Sequence, residues 1–309
     1  MTTHRAVVCS IAMCLLASQP SQQLHSEEPP YTTELLADSS SGIDLRDRLA
    51  SSSSVAFSTR KETSDHASSD HPLNPLLELA RQSYNNIVES VDDYTCVLVK
   101  RERVDGRLLP AETIFAKVQH ASSAGANEHP CRVYLCFQAP ASLKGRELLF
   151  SHSGDDAKLL VRNGGRRLPF LTLELSPTCA LAMHGNRYPV TEFGIQRLVE
   201  RMILLGEREL AYPDECEVNI HQGVEFDGRK CQQIEVCHPH RREHFAYHLA
   251  RITIDSELQV PVRFQAYDWP AEAEGEPVLI EDYAYLDLKL NTGLQDEDFS
   301  RENPDYQFR

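Results

Sequence analysis

The chain has 309 residues, 41% of them hydrophobic and 25% charged, a size and balance that suit one medium-sized domain or two small ones. Its formal net charge of −15 argues against a nucleic-acid binder, because duplex binding rests on a basic face that neutralises phosphates. The run KRER at 100–103 does not supply such a face, since Glu102 sits inside it and Asp92, Asp93 and Asp105 flank it.

The N-terminus reads as an export signal. MTTHR is followed by the apolar stretch AVVCSIAMCLLA at 6–17. That stretch fits a secretory core and is too short for a bilayer, which takes about 20 residues. Ala17, Ser18 and Ser21 are small enough to border a cleavage point. The expectation is a signal peptide over 1–21 and a mature protein in the periplasm or cell envelope. No later stretch is apolar and long enough to cross a membrane. Residues 22–73 are dominated by Ser, Thr, Asp, Glu and Pro, with SSS at 39–41 and SSSS at 51–54. Such a segment buries too little apolar surface to offset its ordering entropy, so it reads as a disordered tether. The folded domain is expected over 74–309.

It opens on a helix. Asn74 can cap, Pro75 suits the first turn, and Leu76, Leu77, Ala80, Tyr84, Ile87, Val88 and Val91 recur at helical spacing. The period then changes to two. Tyr94 to Val99 is apolar on both faces, Lys100 to Arg103 is charged on both, and Asp105-Gly106 turns the chain. This predicts a strand that leaves the covered part of a sheet and ends in water. Further strands are expected at 112–118, 131–137, 145–150, 158–162 and 167–175. A second helix follows Thr191, with Ile195, Leu198, Val199, Met202 and Ile203 on one face. Strands resume at 216–221, 230–237, 244–255, 260–269 and 278–288. HFAYHLARITID (244–255) and VPVRFQAYDW (260–269) should form a hairpin, with Val262, Phe264 and Ala266 toward the core. About eleven strands and two helices make an α+β protein built on a large antiparallel meander, not βαβ units.

Nucleotide-binding loops, the nucleophile elbow and the zincin pair are all missing from the sequence, so no catalytic residues and no cofactor are expected. One local candidate for metal chemistry exists. HPHRREHFAYHL carries His238, His240, His244 and His248, which could form a zinc site with an open position and a metal-dependent hydrolase around it. Against it, Phe245, Tyr247 and Leu249 would face the core and leave the histidines in water, and only Glu243 lies close by. Of nine cysteines, Cys9 and Cys14 fall in the signal, leaving Cys96, Cys131, Cys136, Cys179, Cys216, Cys231 and Cys237. In an oxidising compartment some of these should pair, with one left over.

Several strands are apolar on both faces, so something must cover the second face of the sheet: a helix, another chain or an apolar ligand. Val133, Leu135, Phe137, Leu148 and Phe150 are the candidates for lining such a ligand site. Trp269, the chain's only tryptophan, is the candidate for its mouth.

The stretches DYTCVLVKRERVDGRLLPAETI, FQAP, GRELLF, MHGNRYPVTEFG, HFAYHLARITIDSELQVPVRFQAYDWP and LKLNTGLQDEDFSRENPDYQF resemble an exported bacterial family, chiefly planctomycete, of unknown function. The resemblance covers Leu76 to Arg309, apart from a polar insertion at 121–129 and two additional cysteines in CRVYLC. The family is in turn similar to the outer-membrane lipoprotein-sorting and lipoprotein-carrier fold, chiefly through the meander and the N-GL-DxxF ending. That likeness implies a large curved sheet, an unclosed half-barrel, with two helices packed on it and acyl chains sheltered beneath. The expectation is therefore a non-enzymatic envelope protein that binds a lipid or lipoprotein acyl chain. The alternative is an envelope sensor or interaction module of the same fold, with a protein partner on the sheet.

Overall fold

The computed structural model describes residues 71–120, 131–152, 157–165, 171–272 and 275–308. The expected signal peptide, the tether up to residue 70 and the insertion at 121–129 lie outside these residues. His71 and Leu73, the end of the expected tether, are buried, and His71 Nε2 donates to the Glu209 carbonyl at 3.2 Å.

Helix α1 (Asn74–Ser90) leads into β1 (Asp93–Val104), β2 (Arg107–Leu108), β3 (Glu112–Gln119), β4 (Arg132–Ala139), β5 (Glu147–Ser151), β6 (Lys158–Arg162) and β7 (Thr172–Leu175). A short α2 (Ala180–Met183) and a longer α3 (Ile195–Glu209) precede β8 (Glu217–Phe226), β9 (Arg229–Cys237), β10 (Leu249–Asp255), β11 (Pro261–Asp268) and β12 (Val278–Leu290). The twelve strands form one open sheet in the order β7-β6-β5-β4-β3-β1-β12-β11-β10-β9-β8, with β2 paired to β1. Every pairing is antiparallel, and β10 and β11 form the expected hairpin. The strand expected at 244–255 begins only at Leu249, because the chain before it tucks Phe245 and Tyr247 into the interior.

Residues alternate between faces along each strand. Val133, Leu135 and Phe137 share a core with Tyr94, Leu98, Ile114 and Val118 and with the inner stripes of α1 (Leu77, Tyr84, Ile87) and α3 (Ile195, Leu198, Ile203). The alternate residue Tyr134 joins Phe299, Tyr306 and Phe308 in a second cluster. The Tyr134 and Tyr306 rings stack at 3.8 Å and 7°. Helices thus cover one face, and the C-terminal tail straps the other.

Helix capping differs from the sequence reading. Asn74 is the first helical residue and Leu73 precedes it as the cap. Thr191 lies in a separate short turn, and α3 starts after Gly194 at φ 110°. There the Ile195 amide donates to Tyr94 Oη at 3.1 Å. A β-carbon on Gly194 would sit 2.8 Å from that oxygen, so β1 supplies the cap only because residue 194 is glycine. The helices touch at Gly206, where a β-carbon would meet Leu77 Cδ2 at 2.9 Å. At the sheet's edge, β8 is exposed along most of its length and carries a bulge between Gln222 and Val224, with Gly223 at φ 72°.

Only one face of the KRER stretch ends in water: Arg101 is exposed and the chain turns in solvent at Asp105-Gly106, but the other face is covered. The stretch lies within β1, and Glu102 is buried at 4% exposure. Its carboxylate accepts from Lys100 Nζ at 3.3 Å, from the Arg187 amide at 3.1 Å and from Tyr283 Oη. Buried charge needs such partners.

Asp93 at the start of β1 is also buried. It accepts hydrogen bonds from Thr292 N (2.7 Å), Thr292 Oγ1 (2.8 Å), Gly293 N (3.1 Å) and Leu294 N (3.0 Å). Asn291 completes the clamp, accepting from the Asp92 amide at 2.9 Å and donating to the Ser90 carbonyl at 2.7 Å. Asp93→Ala removes the acceptor these donors share, and because Thr292 and Gly293 are exposed and water can reach them, it is expected to cost about 2 kcal/mol. Chemical denaturation should show the loss, and limited proteolysis should cut the tail first.

His120, at the end of β3, donates from Nδ1 to the Val91 carbonyl at 3.1 Å and meets the Tyr94 ring edge-on. Burial, with a smaller contribution from Arg197, pushes its pKa from 6.5 down to about 4. On acidification the unfolded chain takes up the proton first. Stability is therefore complete above pH 6.5 and falls between there and about pH 4. Replacing His120 by Leu should remove about 3 kcal/mol of that pH dependence, read from denaturation midpoints across the window.

Candidate functional site

A cavity of about 130 Å³ lies between α1, α3 and strands β9 to β12. Helical spacing on α1 presents Leu76, Leu77, Leu79 and Ala80 as one wall, and α3 adds Val199, Met202, Leu205 and Gly206. The floor follows strand alternation, with Ile234 and Val236 from β9, Ala250, Ile252 and Ile254 from β10, Phe264 and Ala266 from β11, and Ile280 from β12. Small residues create the space. Ala80, Ala246, Ala250, Ala266 and Gly206 all face it, so aliphatic side chains surround a gap that none fills. An apolar cavity of about 150 Å³ accepts a molecule of benzene size, so this one has room for roughly that many carbons.

Charged groups interrupt the lining: Arg187, Arg201, Glu209 and Glu281. Arg201 and Glu209 both stand on α3, eight residues and so about 12 Å apart along the axis. Around Glu209, the Tyr247 hydroxyl donates to Oε2 at 3.1 Å and His238 Nε2 lies 3.4 Å from the same oxygen. Burial, reinforced by the Glu209 charge, holds the Tyr247 phenol well above its ordinary pKa.

At the other end Arg187, Tyr188, Arg201 and Glu281 reach the cavity. Glu281 on β12 is directly opposite Glu102 on β1, a like-charge pairing that is unfavourable by itself. Arg187 binds both, through its amide to Glu102 and through Nε 3.3 Å from Glu281. The Tyr188 hydroxyl donates to Glu281 at 3.3 Å, and Tyr283 Oη lies within reach of both carboxylates. Lys100 Nζ sits 3.3 Å from Glu102 and 3.1 Å from Glu112.

None of the six residues singled out from sequence lines this cavity. Val133, Leu135, Phe137 and Phe150 are buried in the core beneath the other half of the sheet, with Leu148 packed against it. Trp269 is buried at 8% exposure, and its Nε1 donates to the His238 carbonyl at 3.0 Å.

The four histidines go separate ways. His238 is fully buried, bonded through Nδ1 to the Tyr247 carbonyl at 3.0 Å and stacked on Phe245. His248 uses Nδ1 on the His238 carbonyl at 2.9 Å. His244 is exposed and stacks on Tyr212, and His240 is exposed. Among the described residues no group of three or more His, Cys, Asp or Glu is placed to hold a metal ion. The seven described cysteines are all free thiols, against the expectation that some pair. Burial pushes the Cys96 thiol up to about 12, which disfavours the reactive thiolate there.

The sequence reading passed over Arg201 and Glu209. Both fall in phase with the apolar stripe of α3, and a charge in that phase was the available signal. Glu102 and Glu281 carried no comparable signal, because their meeting depends on the β1–β12 register.

Among solved structures, the chain is similar to a DUF1329 family protein from Desulfovibrio piger, at 14% identity over 75% of this chain and 98% of that one (TM-score 0.36). It is also similar to the Mycobacterium tuberculosis lipoprotein LppX, at 12% identity over 72% and 98% (TM-score 0.36). A LolA superfamily protein from Nitrosomonas europaea matches at 12% identity over 72% and 97% (TM-score 0.29). Comparison with curated proteins gives no match. Residues 91–308, from just before β1 to the last aromatic residue of the tail, match a family described as a protein of unknown function, and the chain belongs to that family, DUF1571.

Proposed function

We propose that the protein is an exported, non-enzymatic component of the cell envelope that holds an apolar ligand, a lipid or a lipoprotein acyl chain, in the cavity beneath α1 and α3. The observation that carries this reading is the lining itself, with aliphatic walls from two helices and four strands around space left by small residues. Export is supported by the apolar stretch at 6–17. Each buried methylene contributes about 0.8 kcal/mol, so roughly six of them give about 5 kcal/mol, between millimolar and micromolar binding. A whole acyl chain needs more room, so firmer binding requires the helices to part from the sheet.

Titration with the neutral fluorophore N-phenyl-1-naphthylamine, followed by displacement with fatty-acyl compounds, tests the reading. Native protein should bind the fluorophore and release it to acyl chains, and Ala80→Phe, which fills the gap from α1, should weaken binding at least about tenfold while remaining folded by circular dichroism. Protein that takes up no acyl compound, or an Ala80→Phe variant that binds as well as the native chain, would overturn it. Trp269→Phe should behave differently. Loss of the bond to the His238 carbonyl should lower stability by about 1 kcal/mol, with ligand affinity unchanged.

A further inference from the structure

We propose that the cavity takes an amphiphile, and that Arg201 receives its anionic end, a carboxylate or phosphate borne on an alkyl chain. This rests on the reading of the cavity as an apolar-ligand site and adds the chemistry of the head group. Arg201 lines the cavity and is 8% exposed. Its Nη1 is buried without a hydrogen-bond partner. The guanidinium lies over the Tyr188 ring at 4.1 Å, which supports its face and leaves its donor edges for another group.

Among the neighbouring charges Arg201 is the one without an ion pair, although it feels the Glu281 charge and Arg187 Nε also has no hydrogen-bond partner. Lys100 is shared between Glu102 and Glu112, and Arg187 is engaged with Glu281. Glu281 is further occupied by the hydroxyls of Tyr188 and Tyr283. A buried guanidinium with an unmet donor is costly, and an oxyanion that accepts from it removes that cost. The opposite end of the cavity repels an anion, because Glu209 is there, already accepting from Tyr247. Glu281 also stands at the Arg201 end but is already met by Arg187, Tyr188 and Tyr283, so the unmet donor of Arg201 sets the direction of the ligand.

The test compares dodecanoate, dodecyl phosphate and dodecan-1-ol, below their micellar concentrations at pH 8, as displacers of N-phenyl-1-naphthylamine from the full chain. At least one anion should bind about tenfold or more tighter than the alcohol. Preference for dodecanoate identifies a fatty-acid head, and preference for dodecyl phosphate identifies a phospholipid head. In Arg201→Met the ratio of anion to alcohol affinity should fall to about one, and Arg201→Lys should restore part of it. Equal affinity for all three compounds would mean that water serves Arg201, overturning the head-group assignment while the cavity reading stands. Preference that persists in Arg201→Met would overturn it too. No displacement by any compound would overturn both readings. If Arg201→Met does not fold, the native ratio and the Arg201→Lys variant decide alone.

Discussion

The ladder between β1 and β12 is the constraint on which the molecule depends. β1 opens the sheet in sequence and β12 closes it, yet they are neighbours from Tyr94 opposite Leu290 to Glu102 opposite Glu281. That one pairing joins the meander β3 to β7 to the meander β8 to β11. Three side chains of β1 then use the position it gives them. Asp93 gathers the amides that follow β12, Tyr94 caps α3, and Glu102 meets its opposite number beside the cavity. Contacts between such distant segments form late and slowly compared with local turns.

The same constraint explains the polarity of the site. An apolar sheet face under two helices would be satisfied with aliphatic side chains alone, and most of it is. Buried ions there are costly without partners, so each requires a reason in the surrounding structure. Glu102 and Glu281 have theirs in Arg187, Tyr188, Tyr283 and Lys100, which the loop after α2 and the two strands bring together. Arg201 lies over the Tyr188 ring and feels the Glu281 charge but makes no ion pair. The cavity is thus not uniformly apolar, with Arg187 and Arg201 beside Glu281 at one end and Glu209 at the other, an arrangement that a purely hydrophobic socket would not need.

What could be read from sequence was what depends on local period. The stripe Leu77, Tyr84 and Ile87 is the buried face of α1, and Val262, Phe264 and Ala266 turn inward on β11. Glu102 in KRER was misread for a physical reason: a charged strand segment looks solvated until distant segments meet it, here Tyr283 from the ladder partner β12 and Arg187 from the loop after α2. The candidate site was less legible still. Bulky residues such as Phe137 and Phe150 attract attention as ligand contacts, but bulk fills space, and here it packs the core. Cavities come from small side chains, and Ala80, Ala250, Ala266 and Gly206 leave almost no periodic mark.

An open sheet has two free edges, and β8 shows how one of them is kept from harm. Unpaired backbone groups on an edge strand will accept a strand from another molecule unless something discourages it. Here Glu217, Asn219, His221, Gln222 and Glu225 stand exposed along the strand, and the bulge at Gly223 breaks its regular run of donors and acceptors. Apart from the exposed Ile220 the edge is polar and hydrates well, and the bulge spoils the register an incoming strand would need. A large open β-sheet is thereby protected from edge-to-edge pairing along β8, at the expense of one imperfect strand.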